Sequence, residues 1–198
     1  MNETTANSAL VTFAIYLLGA FERATQRQYG RLLKPGDVVL DIGANIGAYT
    51  LYAAKARSVP VVAFEPNPFS YRVLVHNFHL NAITDRVLPL CLAAGGPDEN
   101  GIGRQVLAFR LDDLAAIEGI PAPTHVKIDG DGIEAAILEG AKSLLSGPGV
   151  KSVLIEMLTH DDAAQARITS LLGECGLKPV DLPDDGSDNR LFTHVTRA

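Results

Sequence analysis

The apolar positions of this chain fall into two rhythms. Short continuous apolar runs occupy 38–40, 59–65, 87–93, 125–129 and 150–157. Runs of that length bounded by turn residues predict strands, and runs without alternation predict strands covered on both faces, as in a parallel sheet. Between them lie segments with helical character, 48–56, 69–81, 133–145 and 161–175. In the third of these Ile133, Ala136, Ile137, Ala141, Leu144 and Leu145 share one face. Local signals place the boundaries. Lys34-Pro35-Gly36-Asp37 is a turn, Asn67-Pro68 is an N-cap followed by proline in the first helical turn, Gly147-Pro148-Gly149 stops a helix, and Gly176 closes the last one. The glycine-rich stretch 95–104 predicts an exposed loop leading to 106–109 and 111–114. Two more strand candidates, 178–182 and 191–196, flank a hairpin turn at 184–189. Strands alternating with helices and ending in a hairpin predict an open α/β sheet, parallel except near one edge.

Ahead of this core, 8–20 is apolar enough to resemble the hydrophobic part of a secretion signal. Glu3 precedes it, no Lys or Arg does, and it is shorter than the roughly 20 apolar residues that span a bilayer. The expectation is a helical cap over 1–33 on a core over 34–198, one domain without repeats or linkers, with no membrane insertion and a cytoplasmic location.

Composition narrows the class. A chain of 198 residues that is 47% hydrophobic can bury a full core. Lys and Arg number 17 against 23 Asp and Glu, a net charge of −6, which argues against a mainly electrostatic nucleic-acid partner and favours small-molecule chemistry. Cys91 and Cys175, distant in sequence, read as buried free thiols in a reducing compartment, and no CxxC, HExxH or P-loop pattern occurs.

The stretch 38–50, VVLDIGANIGAYT, carries the first chemistry. A strand opening through a glycine turn into a helix is where open α/β sheets bind ligands. A dinucleotide turn reads GxGxxG and faces a pyrophosphate. Here the spacing is DxGxxxG, and Asp41 would repel an anion by about 1 to 4 kcal/mol at contact distance. It suits a cation, and S-adenosylmethionine carries both an ammonium and a sulfonium. Glu65, closing the second strand, is placed to accept hydrogen bonds from a ribose diol, each worth about 1.5 to 3 kcal/mol.

The phrases VVLDIGANIGAYT, VVAFEPNP, LDDL, KIDGDGIEAAILEGA and VLIEM, in this order, resemble the FkbM family of S-adenosylmethionine-dependent methyltransferases over about residues 30 to 160. The resemblance implies a class I methyltransferase, a Rossmann-like three-layer sandwich with a seven-stranded, mostly parallel sheet and one antiparallel edge strand, here with an extra N-terminal helix. It also implies methylation of a hydroxyl on a sugar or other small natural product. Carried over by residue, Asp41, Gly43, Ala44, Asn45 and Gly47 match the donor loop, and Glu65 the ribose acid with Pro66 and Asn67 beside it. The chain departs from the family at Asp131, where the pattern has glutamate. If that group touches substrate or metal its reach is shortened; if it caps the following helix, aspartate serves as well, and the cap is the preferred reading.

Methyl transfer to an alcohol needs the acceptor oxygen aligned with the sulfonium and a group to take its proton. Asp129, ending the fourth core strand, is the first candidate for base or acceptor-positioning group. Lys127 could hold an anionic acceptor or serve as charge partner of a neighbouring carboxylate. Glu134 either points back at the strand end or stabilises a helix start. Glu156 and His160 could line the acceptor pocket, His160 as an alternative base or as a solvated loop residue. His125 falls at the wrong end of its strand, and His76 and His79 on a peripheral helix. Asp112 and Asp113 most simply cap a short helix. Asp129, Asp131 and Glu156 offer oxygen ligands, but no spacing specifies a divalent cation and no metal is assigned. An NAD-linked oxidoreductase fits less well, on loop spacing, Asp41 and the lack of a hydride site. A catalytically weak donor-binding module serving a partner is a further alternative, and a homodimer stays open.

Overall fold

A computed structural model describes residues 23–95, 108–157, 161–182 and 186–194. The apolar stretch 8–20, residues 96–104 of the predicted loop, the first two residues of the 106–109 segment, His160 and part of the 184–189 turn lie outside the described residues. The strands are β1 (Val39–Ile42), β2 (Val61–Phe64), β3 (Val87–Leu90), β4 (Ala93–Ala94), β5 (Ala108–Phe109), β6 (His125–Ile128), β7 (Ser152–Glu156), β8 (Leu177–Val180) and β9 (Asn189–His194). Seven form one sheet in the order β3-β2-β1-β6-β7-β9-β8, and β4 pairs with β5 apart from it. Neighbours from β3 through β7 are parallel, while β9 runs antiparallel to both β7 and β8. The antiparallel strand is therefore one in from the edge rather than at it. The crossover after β7 leaves a gap one strand wide, and the hairpin return fills it.

The helices are α1 (Arg23–Leu32), α2 (Ala48–Leu51), α3 (Pro68–Asn81), α4 (Glu134–Glu139), α5 (Lys142–Ser146) and α6 (Asp162–Glu174). α2 continues as a π-helical turn, Tyr52–Ala56. Asn67 caps α3 as expected, its Oδ1 accepting from the Phe69 and Ser70 amides. The single helix expected over 133–145 is broken into α4 and α5 at Gly140. There the 3-10 segment Leu111–Ala116 docks: the Asp112 amide donates to the Gly140 carbonyl, and Asp112 Oδ1 accepts from the Leu144 amide at 2.8 Å. Asp112 thus caps α5 and not its own short helix, because the chain enters from β5 directly over the break.

Strand residues alternate between two cores. Leu40, Ile42, Val62, Phe64, Val126 and Ile128 pack with Ile137, Leu138 and Leu172 on one face. Val39, Val61, Ala63 and Leu154 pack with Leu74, Phe78 and Tyr29 on the other. Burying each such large side chain contributes about 1.5 to 3 kcal/mol, enough to fix strand register. Cys175 is buried, but Cys91 is exposed, contrary to expectation, where the chain leaves the edge strand β3 for β4. Among the described residues no helix is long and apolar enough to cross a membrane.

Candidate active site

Parallel pairing sets Asp41 of β1 beside Lys127 of β6, on the face covered by α2. Thr50 of α2 donates its hydroxyl to Asp41 Oδ2 at 2.5 Å. Lys127 Nζ lies 3.8 Å from Asp41 Oδ1, 2.9 Å from Asp129 Oδ2 and 3.4 Å from the Gly43 carbonyl, and 5.3 Å from the Tyr49 ring centroid. Asp41 is 0% exposed and Lys127 3%. Burial raises the Asp41 pKa, with Lys127 and the Thr50 hydroxyl acting against it. One expectation changes here, and one open choice is resolved. Asp41 does select a cation, but the one at hand is Lys127, inside the fold. Lys127 in turn is a charge partner of Asp41 and Asp129 and does not reach into the cleft. Their cross-strand register on a helix-covered face is the physical reason.

The turn after β1 is shaped by residues in the left-handed region, Gly43 at φ 72°, Asn45 at 50° and Gly47 at 96°. At Gly43 a Cβ would overlap the Asp129 carbonyl oxygen, so the glycine lets the ends of β1 and β6 close on one another. The Gly43 and Ala44 amides donate to the Phe64 carbonyl at 3.0 and 2.9 Å. Glu65, 6% exposed, accepts from the Asn45 amide on Oε2 at 2.8 Å and from the Asn67 amide on Oε1 at 2.7 Å. Burial raises its pKa against these two bonds. Each oxygen keeps a second lone pair.

A cleft of about 320 Å³ opens at the carboxyl ends of β1, β2, β6 and β7. Gly43, Asn45, Glu65, Pro66 and Asn67 line one side, and Asp129, Asp131 and Glu156 the other. Of the expected donor-loop residues, Ala44 and Gly47 are buried behind this wall with Asp41. Gly47 makes room for Leu74 of α3. Glu134 is 4% exposed and accepts from the Gly130 and Gly132 amides at 2.9 and 3.1 Å, holding the loop after β6 from a helix start, so both of its expected roles coincide. Asp131 is exposed, sits at φ 53°, and does not cap α4, whose N-cap residue is Ile133 without a side-chain bond. The preferred cap reading fails because Glu134 already binds the loop amides. His125 lies at the amino end of β6, away from the cleft, as expected. Ser70, in the first turn of α3, and Ile133, just ahead of α4, also line the cleft; nothing in the sequence marks Ser70, and Ile133 reads there as part of an apolar helix face.

The acidic wall has distinct electrostatics. Glu156 is hydrogen-bonded to Asp129; burial and that neighbour push its carboxyl up to about 8. Burial works to raise Asp129 as well, but Lys127 beside it and the bond from Glu156 hold it below the usual carboxylate range. Asp129 is thus ionised and Glu156 holds the proton at neutral pH. Oxygens of Asp129, Asp131 and Glu156 lie within 4.8 Å of one another, the grouping among the described residues with the spacing a divalent cation would use.

A parallel sheet with one reversed strand, a glycine turn after β1, an acid closing β2 and a carboxylate-lined cleft at the strand ends define a Rossmann-like methyltransferase. The model of the TRM5/TYW2 methyltransferase domain matches residues 14–102. The 31-O-demethyl-FK506 methyltransferase FkbM of Streptomyces tacrolimicus is 40% identical, the match covering 77% of each chain. The hexuronic acid methyltransferase AglP of Haloferax volcanii is 27% identical over 71% of this chain and 63% of its own. The solved methyltransferase FkbM of Methylobacillus flagellatus superposes with a TM-score of 0.61 at 22% identity, over 80% of this chain but only 43% of that one. On the Streptomyces match, this chain belongs to the FkbM family of S-adenosylmethionine-dependent methyltransferases.

Proposed function

We propose that the chain transfers a methyl group from S-adenosylmethionine to a hydroxyl of a sugar or other small natural product. The observation that carries this reading is that Glu65, at the end of β2, and Glu156, at the end of β7, line one cleft; in the proposal the first binds the ribose diol and the second handles the acceptor proton. Glu65, with its two amide bonds, has one free lone pair per oxygen for the ribose hydroxyls, and Asn45, Pro66 and Asn67 frame the same pocket. Bound donor would supply the electrophilic methyl, leaving as the neutral thioether. The chain's residues then have three tasks. Gly43 and Asp129, in contact through backbone, set the spacing between donor and acceptor sides. Asp129, held ionised by Lys127, accepts the hydrogen bond of the Glu156 carboxyl and so fixes where that group sits. Glu156, once ionised, takes the hydroxyl proton as the oxygen attacks; among the described residues it is better matched to this than Asp129, whose low pKa makes it a weak base.

The relatives named for FK506 and hexuronic acid methylation support a small-molecule acceptor. The TRM5/TYW2 match favours a second reading, methylation of a tRNA base. The acidic cleft and the net charge of −6 count against it. Incubation with methyl-labelled donor and, separately, a metabolite extract or total tRNA of the source organism tests both. Label in a small product carrying it as a methyl ether supports the proposal, and label in tRNA refutes it.

A further inference from the structure

A second cavity lies at the other end of the sheet, at the amino ends of β6 and β7, with a volume of about 1180 Å³. Arg31 at the end of α1, Lys34 in the following turn, Lys151 just before β7 and Lys178 on β8 line it, with His125 and His194. Among its described lining residues there is no Asp or Glu, in a chain where acids outnumber bases.

The charges there are unevenly compensated. Asp37, its side chain 2% exposed behind the wall, receives the Lys151 ammonium at 2.5 Å, the Thr124 hydroxyl at 3.2 Å and the Lys34 amide at 2.7 Å, with His125 Nε2 3.2 Å away. These bonds hold its carboxyl down at about 2 even though burial alone would raise it. Asp37 is therefore consumed by Lys151 and His125. Arg31 donates only to Gln28 Oε1, and neither it, Lys34 nor Lys178 has a carboxylate partner among the described residues. His125 Nδ1 is satisfied by Ser152 Oγ at 2.7 Å and His194 Nε2 donates to the Leu145 carbonyl at 2.9 Å, so the floor is fixed while the cations above it are not.

We propose that this cavity binds a compact phosphorylated small molecule, at the opposite end of the strands from the methyl-transfer cleft. A multiply charged oxyanion complements a lining that holds cations and no carboxylate, and the Arg31 fork matches phosphate oxygens. A long polyanion gains less, because beyond the cavity it meets an acidic body. β6 starts at this cavity with His125 and leads to Asp129 in the cleft, about 13 Å of strand, so the ligand is not the methyl acceptor.

Calorimetric titration of the full chain with inorganic pyrophosphate at constant ionic strength tests this, repeated with the double variant Lys34→Gln/Lys178→Gln, both residues being exposed. The expected result is stoichiometric binding by the unmodified chain, a Kd raised about tenfold in the variant, equivalent to about 1.4 kcal/mol, and an unchanged affinity for S-adenosylhomocysteine in both. Absence of pyrophosphate binding, the same Kd in the variant, displacement of pyrophosphate by S-adenosylhomocysteine, or tighter binding of an RNA oligomer would each overturn it. Failure here leaves the methyl-transfer reading untouched, since that reading is tested by label transfer.

Discussion

Replacing Glu156 with glutamine tests the assignment of the proton acceptor most directly. The carboxyl is raised from 4.5 to about 8 by burial and by the Asp129 carboxylate hydrogen-bonded to it. A base of that pKa is about one tenth ionised at pH 7 and about nine tenths at pH 9. The specificity constant kcat/KM for the acceptor should therefore climb about tenfold between these values and level off above. Glutamine keeps the bond to Asp129 but cannot accept the proton. We expect Glu156→Gln to lower kcat about 10²- to 10⁴-fold, to abolish the alkaline rise, and to leave donor affinity unchanged, because Glu65 and its amide partners are on the other side. The same shift has a sign for stability. The folded chain binds this proton more tightly than the unfolded one, so the contribution is full below 4.5 and is lost as pH rises through about 8. Urea titrations across that window should show the slope in the parent and not in the variant. A flat rate profile from pH 6.5 to 9, or an alkaline rise that survives in Glu156→Gln, would refute the reasoning.

Lys127→Met leaves two carboxylates without their buried cation and should cost about 3–5 kcal/mol in urea unfolding, part of it recovered by adding Asp41→Asn. Gly43→Ala sets a methyl against the Asp129 carbonyl at a left-handed φ; we expect a loss of about 1–3 kcal/mol by denaturation together with weaker donor binding by calorimetry. Glu65→Gln should weaken donor binding about tenfold to a hundredfold, and an unchanged Kd would remove it from the ribose-binding role.

Much of the architecture is legible in the sequence because parallel strands are apolar throughout and their helices carry clear caps, as Asn67 does. The break at Gly140 is not, since it depends on Asp112 arriving from a distant segment to bond Leu144. The site is legible as a set of residues more than as a set of roles. Gly43, Asn45, Glu65, Asp129 and Glu156 meet at the cleft as their strand-end positions imply. Asp41 and Lys127 read as ligand contacts because each is a charge near a glycine turn or strand end. Only cross-strand register, which a linear sequence does not display, shows that they face one another. The raised carboxyl of Glu156 is likewise a property of its neighbour and its depth, so residue type alone gives the base role to Asp129 or His160.

The contact between Gly43 and the Asp129 carbonyl has a bearing on how this scaffold can be altered. The cleft walls carried by β1 and β6 meet there main chain to main chain, with Lys127 bridging the Gly43 carbonyl and Asp129, at a point where a single added methyl would pry them apart. In the proposed reaction, the gap that the methyl crosses is thus a fixed dimension of the sheet. An engineer wishing to change the acceptor should recut the rim at Asp131 and Ile133, and leave the seam between the two strands alone.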